Sequence, residues 1–183
     1  MIAYYLMVII LKKIKLITIL ITFLLSFLFH FGYDLSNNVI FSIIFPVNES
    51  IWEHMKIVAT PILISSIIEY FILIKNNIKT NNYSLGISIS IIISIIFYLI
   101  IYLPIDYIFG HNLIVAITIL LITFIFSENI KQYIIHLKKI NHQKIIGMLL
   151  IVIIYSIFGY LTYNPIKNNL FRDPQCNCYG IKK

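Results

Sequence analysis

Five nearly unbroken apolar runs constrain this 183-residue chain more than any other feature. They cover about 14–32, 57–74, 84–103, 112–126 and 145–163, and the fourth is the shortest. A bilayer core is crossed by about 20 apolar residues in a helix, since no water is present there to satisfy a free backbone. With 60% hydrophobic and 11% charged residues, a soluble domain is excluded, because it would lack the polar surface to cover itself. The expected fold is all-α: a polytopic transmembrane bundle of about five spans, forming one membrane domain over 1–183. Between the first two spans lies a loop at 33–56 that holds the start of a helix. A tail follows at 164–183. Residues 1–11 are apolar but too few to span before Lys12, Lys13 and Lys15, and are expected at the interface.

The formal charge of +7 sits in short loops between the spans. Nothing resembles a basic domain with stacking aromatics, so the expected partner is membrane lipid and not nucleic acid. Lysines crowd the N-terminus, the loop with Lys75 and Lys79, and the segment with Lys131, Lys138, Lys139 and Lys144. The alternate loops are poor in them. By the positive-inside rule the N-terminus is inside and the tail outside, although Lys167, Arg172, Lys182 and Lys183 weaken the pattern. Heavy use of Ile, Asn, Lys, Tyr and Phe, all with AT-rich codons, points to the cytoplasmic membrane of a bacterium. This topology puts Asp34, Glu49, Glu53, Asp106 and Asp173, five of the seven acidic residues, on the outer side, together with Asn48, His54 and His111.

The segment PVNESIWEHMK, residues 46–56, is the polar centre of the chain. A structural reading makes Asn48 an N-cap, or Ser50 the cap with Glu53 closing a Ser-x-x-Glu box. Trp52 is then an interfacial aromatic, and Lys56 an ion-pair partner of Glu53 or Glu49. A functional reading starts from Glu49 and Glu53 one turn apart, which repel unless Lys56, Arg172, a metal or a shared proton lies between them. His54 points elsewhere on the helix, while His30 and His111 end and open spans at the same outer level. The candidate ligands of a divalent metal, zinc or similar, are therefore His30, Glu49, Glu53, His54 and His111. Glu49, Glu53 and His54 are the catalytic candidates. No sequential metal signature supports them.

Glu69, inside the second span, needs a buried partner or a proton, with Tyr70, Ser65, Ser66 and nearby tyrosines available. Arg172 and Asp173 belong to a loop-like tail that would fold over the outer mouth, with Arg172 on Glu49 or Glu53. Cys176 and Cys178, one residue apart, are poorly spaced for a mutual disulfide.

FHFGYDLSNN, FPVNESIWEHMKIVATPILISSIIEY and LTYNPIKNNLFRDPQCNCYGI together resemble a bacterial family of multi-pass membrane proteins, domain of unknown function 6512 (DUF6512), over about residues 16–181. The resemblance implies an architecture and no reaction. The chain departs from the family pattern at Ile166 and Lys167, where a second proline and a histidine are usual, and near Ala116, where an acidic residue is frequent. Three functional classes remain open. One is a non-enzymatic membrane protein with a polar cluster at its outer face. Another is a membrane-embedded, metal-dependent enzyme acting on a lipid or lipid-linked substrate. The third is a small transporter using Glu69.

Overall fold

The structure, a computed structural model, describes residues 2–181, with backbone only for residues 2–4, 6 and 7. Lys182 and Lys183 lie outside the described residues. The helices are α1 (Ile2–His30), α2 (Gly32–Leu35), α3 (Val39–Ile44), α4 (Ile51–Lys75), α5 (Tyr83–Phe109), α6 (Leu113–His136) and α7 (Gln143–Tyr163). The tail forms a two-stranded antiparallel hairpin, β1 (Arg172–Asp173) with β2 (Cys178–Tyr179). Helices α4 to α7 are each long and apolar enough to cross a membrane, as befits a multi-pass membrane protein. Helix α1 packs along α4, and its stretch from Leu16 to Phe29 carries no charge.

Helix bounds differ from the apolar runs for physical reasons. Residues 2–11 continue α1 instead of forming a separate interfacial segment. Helix α6 continues to His136, ten residues beyond the expected end of the fourth span at Phe126. The polar residues that looked like loop are paired within the bundle. Lys131 is buried at 1% exposure, and its ammonium lies between Glu69 and Glu128, 2.7 Å from the latter. Glu69, also buried, accepts from Tyr83 at 2.8 Å and from Gln132 at 2.9 Å. Its partners are thus on α5 and α6 and not Tyr70.

Lipid offers apolar helices little reason to prefer one another, so close approach and hydrogen bonding decide the packing. Thr18, Thr22 and Ser26 form a buried stripe on α1, and Thr22 reaches Ser65 of α4 at 2.6 Å. Gly147 lets α7 meet the backbone of α5 at Ser84, where a Cβ would stand 2.4 Å from the Ser84 carbonyl carbon. At the same end, Asn82 holds the turn after α6. Its amide donates to Lys138 O at 3.0 Å, and its carbonyl accepts from Ile140 N at 2.8 Å.

The helices zigzag, so His30, the 31–50 segment, His111 and the tail share one end of the bundle. Lys75, Lys79, Lys138, Lys139 and Lys144 share the other. The first end contains non-helical backbone that must still be satisfied. Lys56, fully buried, donates to Ser42 O at 2.7 Å and Phe45 O at 3.4 Å. Thr60 donates to Ile44 O at 2.8 Å. These are carbonyls at the end of α3 that have no partner within that helix. Lys131→Met would leave two buried carboxylates without their cation. It is expected to cost about 3–5 kcal/mol, read as a lower Tm in detergent, whereas Lys138→Met, in an exposed turn, stays within about 0.5 kcal/mol.

Candidate functional site

The segment 46–56 folds as an extended entry to α4, capped at Ser50. The Ser50 hydroxyl accepts from Glu53 N at 3.3 Å, and the Asn48 side-chain Oδ1 accepts from Ser50 N at 2.9 Å. This geometry separates the two carboxylates that the sequence places one turn apart. Glu53, 2% exposed, turns inward. It accepts from Val47 N at 3.0 Å, Lys56 Nζ at 2.6 Å and Thr162 Oγ1 at 2.8 Å. Every one of these contacts holds the fold together, and Lys56 is consumed by Glu53.

Glu49 stands before the first turn of α4 and faces the other way. Its Oε2 lies 3.4 Å from His54 Nε2 and 3.7 Å from His30 Nε2, and the two imidazoles sit 5.3 Å apart between centroids. The three ligand-type atoms fall within 4.8 Å of one another. His54 Nδ1 is 2.8 Å from the Ser50 carbonyl oxygen. A carbonyl can only accept, so Nδ1 carries the proton. In the neutral ring, the Nε2 lone pair then faces a carboxylate. Something positive must stand between them: a second proton or a cation. The His54 contact holds the Glu49 carboxyl below its ordinary pKa, with partial burial opposing the effect and His30 adding to it.

Two ligands on a tetrahedral zinc, with bonds of about 2.0–2.1 Å, lie about 3.3–3.4 Å apart. The separations at Glu49 match that spacing better than they match a hydrogen bond. His30 Nδ1 is buried without a hydrogen-bond partner among the described residues. His30, Glu49 and His54 could therefore hold a divalent cation. Two histidines, one carboxylate and an open position is a ligand set known for catalytic zinc. The anchored Nδ1–H of His54 is the usual outer support of such a ligand.

The cluster lines a cavity of about 720 Å³ at the end of the bundle shared by His30, His111 and the tail. Helices α1, α4, α5 and α6 wall it, with apolar side chains such as Phe27, Ile57, Ile117 and Leu120, and the tail contributes Asn169, Arg172 and Gln175. Across the cavity stand Tyr102, Asp106 and His111. Tyr102 donates to Asp106 Oδ1 at 3.0 Å and lies 2.9 Å from His111 Nδ1. Since its one proton goes to Asp106, the hydroxyl accepts from His111 Nδ1–H. His111 thus lines the same cavity but belongs to a different polar group.

The tail is docked on the start of α4, although much of its surface stays exposed. Trp52 N donates to Leu170 O at 2.9 Å, Asn48 Nδ2 donates to Gly180 O at 2.8 Å, and Trp52 stacks on Phe171 at 5.0 Å. Trp52 thus supports the tail, a role that its place at a span end did not suggest. Asp173 is fully buried, and its Oδ1 accepts from Gln175 N at 2.8 Å. Arg172 lines the cavity mouth but makes no ion pair with Glu49 or Glu53, which are engaged by the histidines and by Lys56. Cys176 and Cys178 are joined, contrary to expectation. Asn177 between them takes a left-handed φ of 57°, and the turn brings the Cα atoms to 5.2 Å, within disulfide range. Glu69 lies at the opposite end of the bundle and contributes nothing to the cavity.

Phe171→Ala is expected to cost about 3 kcal/mol and to expose Trp52, the only tryptophan. Its emission should shift to longer wavelength, and the tail should become sensitive to protease. An unchanged spectrum would mean that the stack does not hold the tail.

No curated protein and no solved structure matches the chain. Residues 4–181 match the model of a protein family described as "Family of unknown function (DUF6512)". The match covers nearly the whole chain, so the protein belongs to the DUF6512 family.

Proposed function

We propose that the protein is a membrane-embedded, metal-dependent hydrolase that acts on an amphiphilic molecule at the outer face of a bacterial cytoplasmic membrane. One observation carries this reading: His30, Glu49 and His54 converge on the wall of a largely apolar cavity, with the Nδ1 of His54 already committed to the Ser50 carbonyl. A divalent ion held there would supply Lewis acidity and a water of lowered pKa. The chain's own residues do the rest. Ser50 fixes the His54 tautomer. The apolar walls hold the hydrocarbon of the substrate and thin out bulk water around the reacting headgroup. His111 Nε2, its partner nitrogen tied to Tyr102, is placed to accept or return a proton across the cavity.

Glu69 supports the transporter reading poorly, because Lys131, Tyr83 and Gln132 already engage it. The orientation rests on the lysine-rich loops at the opposite end, which the positive-inside rule places in the cytoplasm. A periplasm-dependent reporter fused after Gly110 should be active and one fused after Asn77 inactive. The reverse would put the cavity on the cytoplasmic side.

Metal analysis of the detergent-purified protein tests the central point. The wild type should carry about one zinc per chain, a value that follows from three ligands around one centre. Glu49→Gln and His54→Gln should lose it while still inserting and purifying, and His111→Gln should keep it. Equal metal content in all four proteins, or none in the wild type after zinc loading, overturns the reading.

A further inference from the structure

The charge arrangement around the cavity narrows what it can take. Of the carboxylates that line it, Glu49 faces two imidazoles, and Asp106 accepts from Tyr102 beside His111. Arg172, exposed on β1, lines the same cavity and makes no ion pair among the described residues. Its place is fixed through the backbone, where β1 pairs with β2 and the tail is held by Trp52 and Asn48. A guanidinium is always charged and presents a planar fork of donors suited to phosphate. Asn169 and Gln175 add neutral polar groups next to it. The opposite requirement, a place for hydrocarbon, is met by Phe27, Phe31 and Leu113. All three line the cavity yet remain 42%, 63% and 65% exposed, forming an apolar margin between α1 and α6.

Resting on the reading of this cavity as a substrate site, we propose that its occupant is a membrane phospholipid, with its phosphate on Arg172 and its acyl chains leaving past Phe27, Phe31 and Leu113. Charge complementarity selects the headgroup: among the described residues that line the cavity, Arg172 is the one permanently charged basic side chain. The apolar edge at Phe27, Phe31 and Leu113 joins the cavity to the exposed apolar surface of the bundle, so acyl chains can leave the cavity there. The same arrangement sets the headgroup beside His30, Glu49 and His54, so the substrate class of the proposed hydrolase is a phosphate-bearing lipid and not a neutral glyceride.

The test titrates the full-length protein, in a neutral detergent, with a fluorescent short-chain phosphatidylglycerol. Arg172→Gln should weaken binding by about tenfold or more, the loss expected of a charge-assisted contact. Lys167→Gln, an exposed tail lysine, should change it by less than about twofold. Diacylglycerol of the same chain length and inorganic phosphate should each fail to displace the probe. Wild-type affinity in Arg172→Gln overturns the proposal, as does displacement by diacylglycerol. Displacement by inorganic phosphate overturns it in favour of a free-anion site. Zinc content separates this result from the metal reading. Arg172→Gln that binds zinc normally but fails with lipid is the expected pattern. Arg172-dependent lipid binding by a wild type that takes up no zinc would sink the metal reading alone.

Discussion

The structure depends on one buried ammonium. Lys56 is fully enclosed, and an isolated charge there would be prohibitive. It is tolerable only because Glu53, Thr162 and the carbonyls of Ser42 and Phe45 surround it. These partners come from α3, α4 and α7 and from the loop between α3 and α4, so a single side chain ties the irregular 31–50 segment to two long helices. Irregular backbone survives near a membrane only where protein satisfies it. Lys56 and Thr60 do so for the end of α3. Once Glu53 is turned inward by this knot, Glu49 is left outside it, at the cavity wall beside His30 and His54.

The two carboxylates of one short block therefore have opposite jobs set by their surroundings, as is common where environment divides like groups. Glu53 is fully bonded and structural. Glu49 faces imidazole nitrogens at distances too long for good hydrogen bonds and suited to a shared cation. Lys131 plays the role of Lys56 toward the opposite end, with Glu69 and Glu128. Polar knots at both ends give an otherwise greasy bundle a defined register, which apolar contact in lipid specifies weakly.

Much of this was legible in the sequence. The apolar runs located the five long helices, and the placement of His30, residues 46–56, His111 and the tail at one end followed from counting spans. The cap at Ser50 was also readable, but Glu53 does not close the expected Ser-x-x-Glu box: its carboxylate turns to Val47 N, Lys56 and Thr162, and Ser50 N donates to the Asn48 side chain instead. Glu128, Lys131 and Gln132 were not, because polar residues after an apolar run look like a loop until Glu69 on another helix supplies their partner. The His30–Glu49–His54 cluster has no sequential signature, since His30 ends α1, Glu49 precedes α4 and His54 lies in its first turn. Spacing alone therefore grouped Glu49 with Glu53, when the fold separates them. The Cys176–Cys178 bond was missed because it needs a left-handed residue between the cysteines, and only the asparagine at 177 hinted at one.

The most direct measurement is X-ray absorption at the zinc edge on the metal-loaded protein in detergent. The first shell should hold two imidazole nitrogens and a carboxylate oxygen at about 2.0–2.2 Å, plus one exchangeable light ligand. The imidazole scattering should disappear when His30 and His54 are both replaced by glutamine. A sulfur shell, or a shell of oxygen alone that is indifferent to those substitutions, would contradict it.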